Sequence, residues 1–396
     1  MHFDRKLFCK TSFREQFIRI FNVYFKSSYI PMIKVLLLTF SRFNPIHYKY
    51  SSSEISTWRH NQSHRIAYFT SLCFVFLHII VFLEWFYLHP FASVQLWESV
   101  VMIYYLLIFS FTLISELVLG WRSAELKLLI DASMAMEAKL FSGRGDAPLP
   151  RKGGSVKNTE FLPKVLFSAV ILNTPIVQGV GFLICMFFPC MPPLITIRSE
   201  LCPCWVEGGD RIPLMSKLMI WLFTAASWSA VIGVTFTSFI VLLLYPTLVV
   251  ELWIKHSKSI METNAAVGVT KYRDSQLLFN LYSCVMATPM ATLLMGTAMI
   301  AEVTILYALI TSGTVIPPTV AALFAVIALD FFLIIQIVFK MLRRPYVASM
   351  VFKQKVDTLE KRGRWFNRFM KSCSPVKVPM GDDYLGIGYT PTGHVP

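Results

Sequence analysis

Charge is scarce in this 396-residue chain: Asp, Glu, Lys and Arg make up only 15% of it, whereas a soluble domain carries about 25%. A water-soluble fold is therefore not expected. Catalytic motifs are missing as well. The eight His are scattered, and there is no Gly-rich phosphate loop and no Gly-x-Ser-x-Gly elbow. No enzyme is expected, and no cofactor or metal is implied; a zinc site is disfavoured because no His and no Cys-x-x-Cys spacing accompanies the cysteines after residue 189. There is no Thr-Val-Gly-Tyr-Gly filter and no Arg ladder, which excludes a voltage-gated potassium channel. No internal repeat is visible either, which weakens a transporter built from two halves.

What is abundant is apolar: 55% of residues are hydrophobic and 14% aromatic, with 33 Phe. They come in long blocks rather than in alternation, the mark of an all-α polytopic membrane protein. Six transmembrane helices are expected, near 66–88, 99–119, 165–188, 218–254, 277–310 and 317–342, within a transmembrane domain of residues 66–343. Asn173 and Pro175 interrupt the third block and Pro289 the fifth, which a membrane helix tolerates as a kink. The fifth block would be roughly 51 Å long as a helix, against a hydrocarbon core of roughly 30 Å, so one end is expected to project from the bilayer. Residues 1–65 read as a cytosolic N-terminal region in which the short stretch from Ile30 to Phe40, broken by Lys34, is interfacial or buried. Asp4, Arg5, Lys6, Lys10, Arg14 and Arg19 carry charge well past any plausible signal n-region, so the first span is expected to insert as its own signal.

The net charge of +14 is distributed by loop. All but three of the 37 Lys and Arg lie in 1–65, 120–164, 255–276 and 340–396, the exceptions being Arg198, Arg211 and Lys217. Positive charge retained on one face places both termini in the cytosol. The same pattern reads as contact with anionic lipid rather than with nucleic acid, and a cytosolic N-terminus disfavours a rhodopsin-like receptor. Residues 142–157 collect six Gly and Pro among charges, as a flexible linker does. Before it, Leu126, Leu129, Ile130 and Met134 share a helical side, which predicts that the second span continues beyond the bilayer.

Candidate site residues are picked out by position. Cys190, Cys202 and Cys204 lie in the one outer loop of any size; a disulfide is expected there, with Cys202 and Cys204 as alternatives for Cys190. Cys73, Cys185 and Cys284 fall inside spans and read as small packing residues. Glu302 and Asp330 lie in the fifth and sixth spans, and an intramembrane carboxylate by default marks a polar pocket or pathway. Residues 344–396 form a basic cytosolic tail. Its Tyr346, Met350, Val351, Leu359, Phe366 and Met370 keep helical spacing beside Lys361, Arg362, Arg364, Arg368 and Lys371, the pattern of an amphipathic helix that lies on lipid or packs against projecting spans.

Within that tail, Trp365-x-x-Arg368-x-x-Lys371-Ser372-Cys373-x-Pro375, followed by Gly381 and Thr390-Pro391, resembles the pre-terminal region of springtail-type members of the arthropod gustatory and odorant receptor superfamily. The motif covers about thirty residues; the remainder matches in architecture only. The resemblance implies a chemosensory receptor subunit of a ligand-gated cation channel family in the plasma membrane, with seven helices per subunit and homo- or hetero-tetrameric assembly. It further implies a small-molecule ligand held in the outer half of each subunit, and a central anchor containing residues 365–373. The family continues past its Thr-Pro into a final apolar helix that lines the pore, whereas this sequence stops at Pro396, so an incomplete or non-conducting member is expected. The alternative from another class is a secondary transporter or orphan polytopic protein using Glu302 and Asp330 for ion coupling.

Overall fold

The computed structural model describes residues 28–40, 44–49, 54–89, 96–142, 178–179, 182–183, 185–187, 212–286, 290–312, 318–358, 368–370 and 372–376. The stretch from Ile30 is a short helix, α1, Ile30–Thr39, that buries Met32, Ile33, Leu36 and Leu37. The chain then forms an antiparallel pair of strands, β1 Ile46–Lys49 and β2 Glu54–Thr57, in the register Ile46 with Thr57 and Lys49 with Glu54. This short pair is a local addition to a chain that is otherwise helical, as the sequence predicts. Ile46, Tyr48 and Ile55 are buried from the hairpin.

The first long apolar block forms α2, Gln62–Leu88, begun by an extended Asn61 whose side chain accepts from the Ser63 N–H at 3.0 Å. That cap satisfies one of the donors a helix start leaves open. The second block forms α3, Leu96–Trp121, and after Arg122 the chain re-enters a helix, α4, Ser123–Ser142. This is where the sequence predicts the helical prolongation. The hairpin rests on α1 and α4.

The fourth block is one uninterrupted helix, α5, Leu214–Met261, of 48 residues, longer at both ends than the expected 218–254. Its middle, Thr237–Leu244, is wound as a π-helix, a wider turn that commonly marks a functional or strained stretch. The most apolar 18-residue window of α5 is 89% buried, against 28% for α2. α5 is therefore the central helix of the bundle, and α2 exposes its apolar side to the surroundings.

The expected fifth span is two helices, α6, Ala265–Met286, and α7, Met290–Ser312. Pro289 lies in the interval; it has no N–H to donate and disfavours helix in the residue before it. By contrast α8, Pro318–Asp357, runs 40 residues straight through the expected boundary at 343, with buried Pro345 inside it. The start of the expected tail helix, Tyr346 to Val351, thus continues the last span. Among the described residues, α2, α3, α5 and α7 are each long and apolar enough to cross a membrane. The third expected span falls mostly outside the described residues. Of it, Gln178, Phe182, Cys185 and Met186 lie against α5: Gln178 Nε2 donates to Ser229 Oγ at 2.9 Å, Cys185 Sγ donates to the Lys217 carbonyl at 3.1 Å, and Phe182 meets Trp221 edge-on at 5.2 Å.

Two apolar cores result. One, at the end rich in Lys and Arg, joins α1, the hairpin, α4, α6 and the second halves of α5 and α8. The other, at the far end, joins α2, the first halves of α3 and α5, the second half of α7 and the start of α8.

Candidate functional site

At the far end the core is aromatic. His78 of α2 is stacked between Phe109 of α3, with centroids 4.8 Å apart, and Phe223 of α5, 5.1 Å apart. Trp228 stands edge-on to both Tyr105 and Phe109, at 5.9 Å each. Toward the start of α5, the Trp221 indole N–H and the Thr224 hydroxyl are buried and make no hydrogen bond among the described residues. An apolar lining with a few fixed polar atoms is the usual composition of a small-molecule pocket. The helices place these groups by period: residues 221, 224 and 228 fall on one side of α5.

At the basic end the elements are joined by hydrogen bonds. The Glu137 carboxylate of α4 accepts from the Tyr29 backbone N–H, from Ser28 Oγ at 2.9 Å and from Tyr245 Oη at 2.9 Å. It thereby caps the start of α1, where a negative group is favoured, and ties α1 and α4 to the centre of α5. Burial raises the Glu137 carboxyl above the ordinary carboxylate range, against the lowering effect of its donors. Arg122, between α3 and α4, donates to the carbonyls of Cys284 and Val285 at 2.7 Å each and so caps the C-terminal end of α6.

The tail closes on the same end. Tyr272 of α6 shares a 2.6 Å hydrogen bond with Ser349 of α8 and stacks on Phe352 at 4.4 Å. Gln276 Nε2 donates to the Ser374 carbonyl at 2.7 Å, and the Val376 N–H donates to Ser349 Oγ at 3.1 Å. Cys373 is completely buried between these contacts, and burial raises its thiol above the usual range.

Of the sequence-level candidates, Cys373 and Pro375 enter this assembly, buried and half-buried, while Arg368 is exposed. Trp365, Lys371 and Gly381 lie outside the described residues, as do Cys190, Cys202 and Cys204. Glu302 is half-buried on the flank of α7, between buried Ala301 and exposed Val303, and makes no hydrogen bond or ion pair among the described residues. Asp330 lies within α8. Of the three cysteines expected to be packing residues, Cys185 is buried, but Cys73 and Cys284 are exposed on the helix surfaces.

Sequence reasoning does not single out Glu137, Arg122, Tyr272 or Ser349. For Glu137 a signal exists: Leu126, Leu129, Ile130 and Ser133 continue at helical spacing directly to it, and all five are buried. The other three leave no comparable mark, because their partners are backbone atoms or distant hydroxyls.

No family model matches the sequence, and no curated protein matches it. A solved structure does: that of the insect olfactory receptor OR5 from Machilis hrabei, over 90% of this chain and 89% of that one, with a TM-score of 0.53 at 12% identity. The fold is that of an insect olfactory receptor. Identity this low carries no residue-level role across, but it does account for the architecture of a multi-pass helical membrane protein with long helices gathered at one end. The olfactory-receptor fold thus contains both the aromatic core at the far end and the hydrogen-bonded assembly at the basic end.

Proposed function

We propose that this chain is a chemosensory receptor subunit, a member of the ligand-gated cation channel class to which the gustatory and odorant receptors belong. The observation that carries the reading is the likeness to an insect olfactory receptor over nine-tenths of the chain, joined to a basic charge concentrated in alternate loops. In this reading the basic end is cytosolic, the membrane is the plasma membrane, and the subunit assembles as a homo- or hetero-tetramer. The far-end aromatic core around His78, Tyr105, Trp221 and Thr224 opens to take a small, largely apolar molecule with a hydrogen-bonding group, and differential affinity for an open state gates the channel. The stretch from Trp365 through Gly381 belongs to the anchor, a role supported by the burial of Cys373 against α6 and α8. Cys190 pairs with Cys202 or Cys204 outside the membrane, and Glu302 and Asp330 contribute to a polar pocket or pathway.

The transporter alternative needs Glu302 and Asp330 to face one another within the membrane. The test is electrophysiology or calcium imaging in cells expressing the chain extended by a seventh apolar span, with and without co-expressed subunits, against a panel of volatile and tastant molecules. The expected outcome is a ligand-evoked cation current. Silence to every ligand with surface expression confirmed, or substrate uptake driven by a proton gradient, contradicts the proposal.

A further inference from the structure

At the start of α2 an open groove of about 690 Å³ is lined by Arg59, Gln62, Arg65, Ile66, Phe69, Thr70 and Cys73. Its chemistry changes along its length. The lower end offers two guanidinium groups and an amide, neither guanidinium having a carboxylate partner among the described residues. The upper end is apolar: Ile66 is 60% and Phe69 45% exposed, and Cys73 is exposed beyond them. From Arg65 to Cys73 the helix climbs roughly 12 Å.

The wall behind the groove is closely packed. Trp58 donates its indole N–H to the Gly120 carbonyl at 3.2 Å, stacks on Tyr68 at 5.3 Å and meets Phe69 edge-on at 5.6 Å. Arg59 lies over the Trp58 ring at 5.5 Å, which holds its planar head at the groove mouth. Arg59 and Arg65 also flank the point where the chain turns from a basic loop into an apolar span, the depth of lipid headgroups. A guanidinium pair meets a phosphodiester with parallel N–H donors, and the apolar strip above it meets hydrocarbon.

We propose that this groove is a specific binding site for an anionic phospholipid, its phosphate held by Arg59 and Arg65 and one acyl chain laid along Ile66, Phe69 and Cys73. A lipid of the general annulus would exchange without headgroup preference; two guanidinium groups without a carboxylate partner among the described residues, in a concave, backed site, confer one. The site rests on the membrane-spanning character of α2 and not on the ligand-gated reading.

The test is native mass spectrometry of the purified full-length protein titrated with phosphatidylserine and with phosphatidylcholine of the same acyl chains. The expected result is at least tenfold tighter retention of phosphatidylserine, and loss of that preference in the Arg59→Gln, Arg65→Gln double variant. Equal retention of the two lipids, or an undiminished preference in the double variant, overturns the proposal. Glycerophosphoserine and inorganic phosphate, which lack chains, should bind at least tenfold more weakly; equal binding would make this a free-anion site and overturn the lipid assignment. A second measurement does not depend on the arginine variants folding. Phosphatidylserine bearing a maleimide within its acyl chain should label Cys73 of the otherwise unaltered protein about tenfold faster than the phosphatidylcholine analogue, and equal rates overturn the proposal.

Discussion

The two ends of this bundle solve the problem of helix association differently. At the far end α2, α3, α5 and α7 meet mainly through rings and small residues, and two polar atoms there, Trp221 Nε1 and Thr224 Oγ1, are buried without hydrogen bonds among the described residues. At the basic end Glu137, Arg122, Tyr272 and Ser349 each bond an element distant in sequence. Lipid supplies no hydrophobic force between helices, so the far end depends on shape and can repack around a guest. The basic end carries directional bonds that admit one arrangement. The difference points to a stable platform below and an adaptable aromatic core above.

Removing Glu137 should break this contrast most severely. Glu137→Ala leaves the Tyr29 N–H, Ser28 and Tyr245 without their acceptor, a loss of about 3 kcal/mol that appears as the largest fall in melting temperature in detergent. Glu137→Gln sharpens the point, because it keeps an acceptor and removes the charge. Burial raises the Glu137 carboxyl, so the folded protein binds its proton at pH values where the unfolded chain has released it. Its contribution is therefore fully present below the ordinary carboxylate range and declines as pH rises from that range through the raised folded value. A melting-temperature series against pH should show this decline in the unaltered protein and a flatter profile in Glu137→Gln. Next in size, Arg122→Ala uncaps α6 and should cost about 1–2 kcal/mol, with Arg122→Lys recovering only part because one ammonium does not reproduce the fork on two carbonyls. The smallest stability effect belongs to the far end. Thr224→Val replaces an unbonded hydroxyl by a methyl of similar shape, and its stability should stay within about 0.5 kcal/mol of the original.

The helical blocks are legible in the sequence because lipid demands them: every backbone group must bond within its own helix, and that writes long apolar runs into the chain. The full division into α6 and α7 at Pro289 is not legible, since proline signals an interruption without saying how complete it is. The hairpin of Ile46–Lys49 and Glu54–Thr57 is equally hidden, because four-residue strands give alternation too short to register. For the site, the tail motif draws attention to Cys373 but not to its partners. Tyr272 and Ser349 are ordinary residues in sequence, 77 positions apart, and only the fold brings their hydroxyls to 2.6 Å.

The central claim is that the basic end holds the structure while the far end reads the ligand. It is tested most directly by measuring, for Thr224→Val and Glu137→Ala side by side, the half-effective concentration of an activating ligand in surface-matched cells and the melting temperature of the purified protein. The account predicts that Thr224→Val shifts the concentration by about tenfold at constant melting temperature, and that Glu137→Ala lowers the melting temperature at constant concentration. An unmoved response in Thr224→Val together with a shifted one in Glu137→Ala would contradict it.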